Sequence, residues 1–255
     1  MKKVVKDVTE ALGLREKEHL AIVGAGGKTT LLLALAEDLR DNKVVISTTT
    51  KIHYDEAKQV LKPIITLGQP DWKETLKKCL GRENQAILVK QIVESGKVSG
   101  ISPSLADEIF RDQKIDYLLL EADGAAGLPL KAPAEKEPVI PSSVTTVVAM
   151  MGLDAINQPF NLERVFRPKE FQLITGLNIG EKLTPTKIFQ LFIDPKGLFK
   201  GAPPSAKKIV FFNRLDLLSE KNKALELANL ITEKKRRFID RIIIGSVKNN
   251  EYYLQ

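Results

Sequence analysis

Two histidines, one cysteine and one tryptophan in 255 residues set the first limits on this chain. A single thiol, Cys79, makes no disulfide within the chain. It also cannot hold an iron–sulfur cluster, which takes several cysteine thiolates. A Cys/His zinc site would have to gather nearly all of His19, His53 and Cys79 and add carboxylates. Imidazole acid–base chemistry has two candidates at most. Long apolar runs are missing as well. Thr30 to Ala36 and Ile209 to Phe212 stop far short of the ~20 residues that cross a bilayer. The opening MKKVVKDVTEALGLREK carries basic residues but no continuous apolar segment of a secretory signal. The expectation is a cytoplasmic protein without membrane insertion, whose chemistry is done by lysines, carboxylates, hydroxyls and backbone amides.

The chain is 43% apolar and 28% charged, enough for a substantial core. Its net charge of +7 favours a phosphate-rich ligand. Acidic residues interleave with the basic ones, so nucleic acid is not the expected partner. The densest basic run, Lys234, Lys235, Arg236 and Arg237, reads as a solvated late-helix face.

Short apolar runs alternate with helical patterns. Leu20–Val23, Val44–Ser47, Pro63–Leu67, Tyr117–Ala122, Thr145–Met150, Lys208–Phe212 and Arg241–Ile244 are strand candidates. Thr29–Leu39, Trp72–Leu80, Asn84–Ser95 and Ser219–Leu230 read as helices. The alternation predicts an α/β fold, a three-layer P-loop NTPase-like architecture on a mainly parallel sheet. Residues 151–205 are punctuated by six prolines and carry Phe160, Phe166, Phe171, Phe189, Phe192 and Phe199. They predict a mostly helical insertion or small subdomain within a core formed by 1–150 and 206–255.

The strongest local signal is AIVGAGGKTTLLLALAEDL, residues 21–39. A strand ends at Val23; Gly24, Ala25, Gly26 and Gly27 turn; Lys28, Thr29 and Thr30 open a helix. Glycines permit tight curvature and close approach of a ligand, and successive N–H groups at a helix N-terminus make an anion cradle. Lys28 supplies a point charge to the phosphates, and Thr29 a hydroxyl for a phosphate-bound Mg²⁺. The strict Walker A pattern does not match, because its first glycine would fall on Ile22.

Two further strand ends join this loop. Ser47-Thr48-Thr49-Thr50-Lys51 closes the second strand, and Thr49 and Thr50 are candidates for the Mg²⁺ shell. The run Tyr117–Leu120 leads into Glu121 and Asp123, whose i, i+2 spacing puts them on one face if the strand continues. Hard carboxylate oxygens there suit Mg²⁺ or its water, so Lys28, Glu121 and Asp123 are the expected catalytic groups. Asp116 lies at the wrong end and reads as structural. Lys131 to Pro141 reads as an outer loop near the same face.

A later strand ends in Asn213-Arg214-Leu215-Asp216. The Asp216 carboxylate can accept from guanine N1–H and its exocyclic N–H₂, a donor pair that adenine lacks. Asn213 would brace the loop or meet the base edge, and a backbone N–H near Ser246 would meet guanine O6. A helix cap with ATP as ligand is the other reading. Arg164 and Arg167 beside Glu163 read as a surface ion-pair cluster, with one arginine reaching a phosphate or a partner's ligand as the other reading.

The motifs VGAGGKTT, ISTTTKIH, LLLEADGAAGLPLKAP, RPKEF…TGL and FFNRLD occur in this order over residues 15–247. Together they resemble the selenium-dependent hydroxylase accessory protein family, YqeC. The resemblance implies P-loop nucleotide binding, with GTP or ATP and Mg²⁺ as cofactors. It also implies a role in maturing selenium-dependent molybdenum hydroxylases, with such a client or another maturation protein as partner. By the resemblance, Gly24, Gly26, Gly27, Lys28 and Thr29 carry the phosphate loop. Thr49, Thr50, Glu121, Asp123, Asn213 and Asp216 fall in the other polar motifs. The chain departs from the family where Phe166-Arg167 replaces a His-Arg pair. GAGGKTT is similar, more distantly, to the loop of Mur-type amide ligases. Three activities are then open: a GTP- or ATP-hydrolysing maturation factor, a nucleotide-dependent kinase or ligase acting on a small cofactor intermediate, and a non-hydrolysing nucleotide-gated module.

Overall fold

Apolar runs too short to be helices become strands covered on both faces. A computed structural model describes residues 2–5, 7–53, 62–93, 97–112, 114–235 and 238–255, with the backbone alone described at 2–5, 52, 53, 97 and 235. Among these residues, ten strands form one sheet. Its spatial order is β1 (Lys2–Val5), β15 (Glu251–Leu254), β14 (Arg241–Ser246), β13 (Lys207–Asn213), β11 (Thr146–Gly152), β2 (Glu18–Gly24), β9 (Tyr117–Glu121), β3 (Val44–Thr48), β6 (Gln85–Val89) and β5 (Ile64–Thr66). The strands from β14 to β5 are mutually parallel, and β15 pairs antiparallel with β14 and β1. A parallel sheet needs cover on both faces, so its strands read as unbroken apolar runs.

Alternation along each strand divides the cover. Leu20, Ile22, Leu119, Val148 and Met150 face helices α1 (Val8–Leu12) and α2 (Lys28–Asp38). On α2, Leu31, Leu32, Leu35 and Ala36 are buried, each leucine worth ~1.5–3 kcal/mol relative to exposure. On the other face, Val45, Ala86, Leu88, Leu118 and Leu120 meet α3 (Trp72–Glu83) and α4 (Pro103–Arg111). Farther along that face, Val23, Ala149, Met151, Val210 and Phe212 meet α8 (Asn222–Lys235) and the proline-punctuated segment.

That segment holds β12 (Val165–Phe166), α5 (Pro168–Thr175), α6 (Pro185–Ile188) and α7 (Gln190–Ile193). Phe160, Phe171, Phe189, Phe192 and Phe199 are buried in one cluster with the sheet residues, and Phe166 is half-buried. The segment therefore shares its core with the sheet.

The expected helix at Asn84–Ser95 is a correction. Asn84 ends α3 in a left-handed conformation (φ 59°), and Gln85 to Val89 form β6, buried throughout. Gln91–Val93 form β7, which with β4 (Lys51–His53) and β8 (Lys97–Ser99) makes a small antiparallel sheet. The run NQAILVKQIV suits either period. The slot between β3 and β5, apolar on both sides, decides for strand. Ser95 lies outside the described residues, as do Arg236 and Arg237 of the basic run and the side chains of His53 and Lys235.

Candidate functional site

The glycine loop Gly24–Gly27 runs between β2 and α2 and is pinned on three sides. Gly24 N donates to both Asp123 oxygens (3.1 and 2.9 Å), Ala25 N to the Met150 carbonyl (3.0 Å) and Gly26 N to the Leu128 carbonyl (3.0 Å). Gly24 and Gly26 have φ of 92° and 79°, and a Cβ on either would stand 2.3 Å from Met150 O or 2.1 Å from Gly152 N. The first three loop amides are thus spent inside the protein. The donors left for an anion are those of the turn into α2, where helix geometry gives the amides of Lys28, Thr29 and Thr30 no acceptor within the helix. The open amides are fewer than the sequence suggested, and they lie at the turn into α2.

Lys28 is 4% exposed. Its ammonium donates to the Gly24 carbonyl (2.8 Å) and lies 3.3 Å from both Glu121 Oε1 and Asp123 Oδ1. Burial alone would push this lysine down, but the charges of Glu121 and Asp123 outweigh it and hold the group above its ordinary range. Lys28 is therefore a fixed cation. Thr29 Oγ1 lies 3.4 Å from Glu121 Oε2. Hydroxyl and carboxylate meet at the floor of a cavity of about 280 Å³, which also takes in Lys51, the Gly124–Leu128 segment and Arg214.

A second cavity of about 230 Å³ adjoins the first, sharing Gly27, Thr30 and Arg214. Its other walls are Asn213, Asp216, Leu217, Ser246 and Lys248. Asn213 is a clasp: its Nδ2 donates to the Gly26 carbonyl (2.9 Å), and its Oδ1 accepts from Val247 N (3.0 Å). Asp216 is exposed at the rim. Ser246 is 1% exposed, and its hydroxyl has no hydrogen-bond partner among the described residues.

The structure thus brings Gly24, Ala25, Gly26, Gly27, Lys28, Thr29, Thr30 and Glu121 together, with Asn213, Asp216 and Ser246 alongside. Asp123 stands apart from the cavity wall. It is wholly buried behind the loop, where it holds Gly24 and Lys28. Thr49 and Thr50 do not line the cavity either. Thr49 Oγ1 donates to the Val139 carbonyl (2.7 Å), and Thr50 N donates to Thr48 Oγ1 (3.1 Å). Thr48 Oγ1 and Thr49 N both reach the Glu121 carbonyl, so the threonines fix the strand end that carries Glu121. Asp116 accepts from Lys43 N (2.8 Å) at the far end of the sheet. Val247 N is taken by Asn213, while the buried Ser246 hydroxyl on that wall has no partner among the described residues.

Two charged residues escaped the sequence reading. Lys131, expected in an outer loop, lies in β10 (Leu130–Lys131) and is 1% exposed, with its ammonium on Gly124 O (2.7 Å), Asp123 Oδ2 (3.1 Å) and Glu137 Oε2 (3.0 Å). Arg167 pairs with Glu137 rather than Glu163, through Nε (3.2 Å) and Nη2 (3.0 Å). Burial would raise Glu137, but Arg167 and Lys131 hold it below the usual carboxylate range. The available signal was a lone lysine inside the apolar stretch LPLKAPA.

The family model for YqeC protein matches residues 20–169. The chain is also 31% identical over 247 residues to the uncharacterized protein YqeC of Escherichia coli (strain K12), covering 91% of this chain and 88% of that one. The chain belongs to the YqeC family. The family-model match takes in the glycine loop, Glu121, Asp123, Lys131, Glu137 and Arg167, and it stops before Asn213 and Asp216.

Proposed function

We propose that this protein is a Mg²⁺-dependent P-loop nucleotide-binding protein that hydrolyses a nucleoside triphosphate, with GTP favoured over ATP. We further propose that it acts as a maturation factor for a selenium-dependent molybdenum hydroxylase. The observation that carries the reading is a groove made of two adjoining cavities that share Gly27, Thr30 and Arg214. The open amides at the start of α2 and the fixed cation of Lys28 lie at one end, and the pocket of Asn213, Asp216 and Ser246 at the other.

The amides of Gly27–Thr30 and the Lys28 ammonium would hold the phosphates. Among the described residues, no group of three or more His, Cys, Asp or Glu side chains is placed to hold a metal ion. A Thr29 hydroxyl beside the Glu121 carboxylate fits Mg²⁺, which keeps waters and phosphate oxygens for most of its shell. Bound there, Mg²⁺ would neutralise charge on the β and γ oxygens. Glu121 would orient a water toward the terminal phosphate, while Asp123, bonded to Gly24 N and paired with Lys28, would keep the loop start in register. At the far end, Asp216 would accept from guanine N1–H and N–H₂.

Equilibrium binding of GTP and ATP with Mg²⁺, to wild type and Asp216→Ala, tests this. Preference for GTP by about tenfold or more in wild type, lost in the variant, is expected from a carboxylate that pairs with two donors. Equal wild-type affinities would sink the base assignment, and binding of neither would sink the whole reading. Phosphate release that stays at its basal rate with a client hydroxylase present would remove the maturation role.

A further inference from the structure

Lys28 belongs to a longer construction that reaches the surface. Glu121, Lys28, Asp123, Lys131, Glu137 and Arg167 alternate in sign along a continuous path. Its successive N···O distances are 3.3, 3.3, 3.1, 3.0 and 3.0 Å. The side chains of Asp123 and Lys131 are 0% exposed, that of Glu137 is 15% exposed, and that of Arg167 is 36% exposed. Each inner member is shared by two neighbours of opposite charge. An ammonium that moves closer to one carboxylate gives up contact with the other. Away from water such a redistribution is poorly screened, so it carries along the path.

We infer that Glu137 and Arg167 are positioning residues for the phosphate loop, setting how much of the Lys28 charge is left for a phosphate. The inference rests on the reading of the cavity as a phosphate site. Its logic fixes a sign for each end member. Without the Arg167 charge, Glu137 draws Lys131 toward itself. Asp123 then loses a partner and holds Lys28 harder, and phosphate binding weakens. Without the Glu137 charge, Lys131 turns wholly to Asp123, Lys28 is released toward the cavity, and phosphate binding tightens. Phe166 supports the outer part, with Lys131 5.6 Å and Arg167 5.1 Å from its ring centroid. The half-exposed end of the path lies on the β12–α5 junction, far in sequence from the loop it controls.

Calorimetric titration with Mg·pyrophosphate, which reads the cradle without the base pocket, tests the inference. Arg167→Gln is expected to raise Kd about fivefold, and Glu137→Gln to lower it about threefold. Arg167→Lys stays within about twofold of wild type. Arg164→Gln, which removes the same charge three residues away, also stays within about twofold. Among the described residues, the Arg164 guanidinium donates to Gln158 Oε1 (3.5 Å), away from the path. In ligand-free protein, the backbone ¹⁵N–¹H resonance of Gly24, whose amide Asp123 accepts, is expected to move in opposite directions in the two end variants. Shifts of Kd in one direction for both, or an Arg164→Gln effect as large as that of Arg167→Gln, would overturn the inference. If Arg167→Gln does not fold, Glu137→Gln carries the test through its tightened binding and displaced Gly24 resonance. If wild type binds neither pyrophosphate nor GTP, the phosphate reading falls separately. The Gly24 resonance then decides: opposite displacements uphold the path, and an unmoved resonance removes it.

Discussion

At Lys28 an ammonium is almost withdrawn from water and still carries its charge, because Glu121 and Asp123 stand within 3.3 Å of it. His19 answers the same conflict the other way. It is wholly buried on β2, its Nδ1 lies 2.8 Å from Ser143 Oγ, and its Nε2 has no partner among the described residues. Burial pushes it down to about 4, against the pull of Asp107. Asp107 is itself raised by burial, but hydrogen bonds from Ser143 and Ser142 outweigh that and hold it below the carboxylate range. The sign for His19 follows. The unfolded chain, with an ordinary histidine near 6.5, takes up a proton that the folded chain refuses. Stability is therefore fully present above pH ~6.5 and is lost as pH falls toward 4, by up to about 3 kcal/mol. His19→Phe keeps a ring beside Phe110, whose centroid is 5.0 Å from that of His19. Chemical unfolding of this variant between pH 7 and 4 is expected to show a flatter profile than wild type. An unchanged slope would count against a neutral buried imidazole.

Elements are held in place by what their ends do, and the glycine loop between β2 and α2 is the clearest instance. Gly26→Ala would push a Cβ to 2.1 Å from Gly152 N in a backbone at φ 79°. Both the clash and the strain act on the same residue. A loss of more than about 2 kcal/mol is expected, together with loss of phosphate binding. Differential scanning calorimetry checks the first, and a variant as stable as wild type would contradict it. This loop was legible because its constraints are local: a strand, three glycines, then Lys28-Thr29-Thr30. So were β2, β3, β9, β11 and β13, whose apolar runs have no other use. Asn84–Ser95 was not legible, since its residues suit a helix as well, and only the neighbours β3 and β5 make β6 a strand. The positions of Asp123 and Lys131 were not legible for a related reason. Spacing tells which face a residue shares, but not that a carboxylate will turn behind the loop to meet a lysine eight residues on.

Across the whole molecule, the groove is assembled from distant stretches around the middle of the sheet. Strand β2 lies between β9 and β11, so residues near 24, 121 and 150 meet. Among the described residues no helix is long and apolar enough to cross a membrane. The sheet carries helices on both faces, with the proline-punctuated segment part of one of those covers. A ligand in this groove touches several strand ends at once and should stabilise the entire sheet. Mg·GTP at about a hundred times its Kd is expected to add about 2.7 kcal/mol, a rise in Tm of about 5–10 °C. Thermal denaturation with and without the nucleotide measures it, and a Tm that does not respond to millimolar nucleotide would count against the proposed function.

The Asn213 clasp also has a consequence for the growing chain. Gly26 is closed by a side chain 187 residues downstream, which is itself oriented by an amide 34 residues later still. At roughly 5–20 residues per second, the loop waits about 10–40 s on the ribosome before the strand that locks it has been made. Any ligand of the loop would then meet a finished groove only after Val247 has been made, so it would act as a late check on the fold rather than as a template for it.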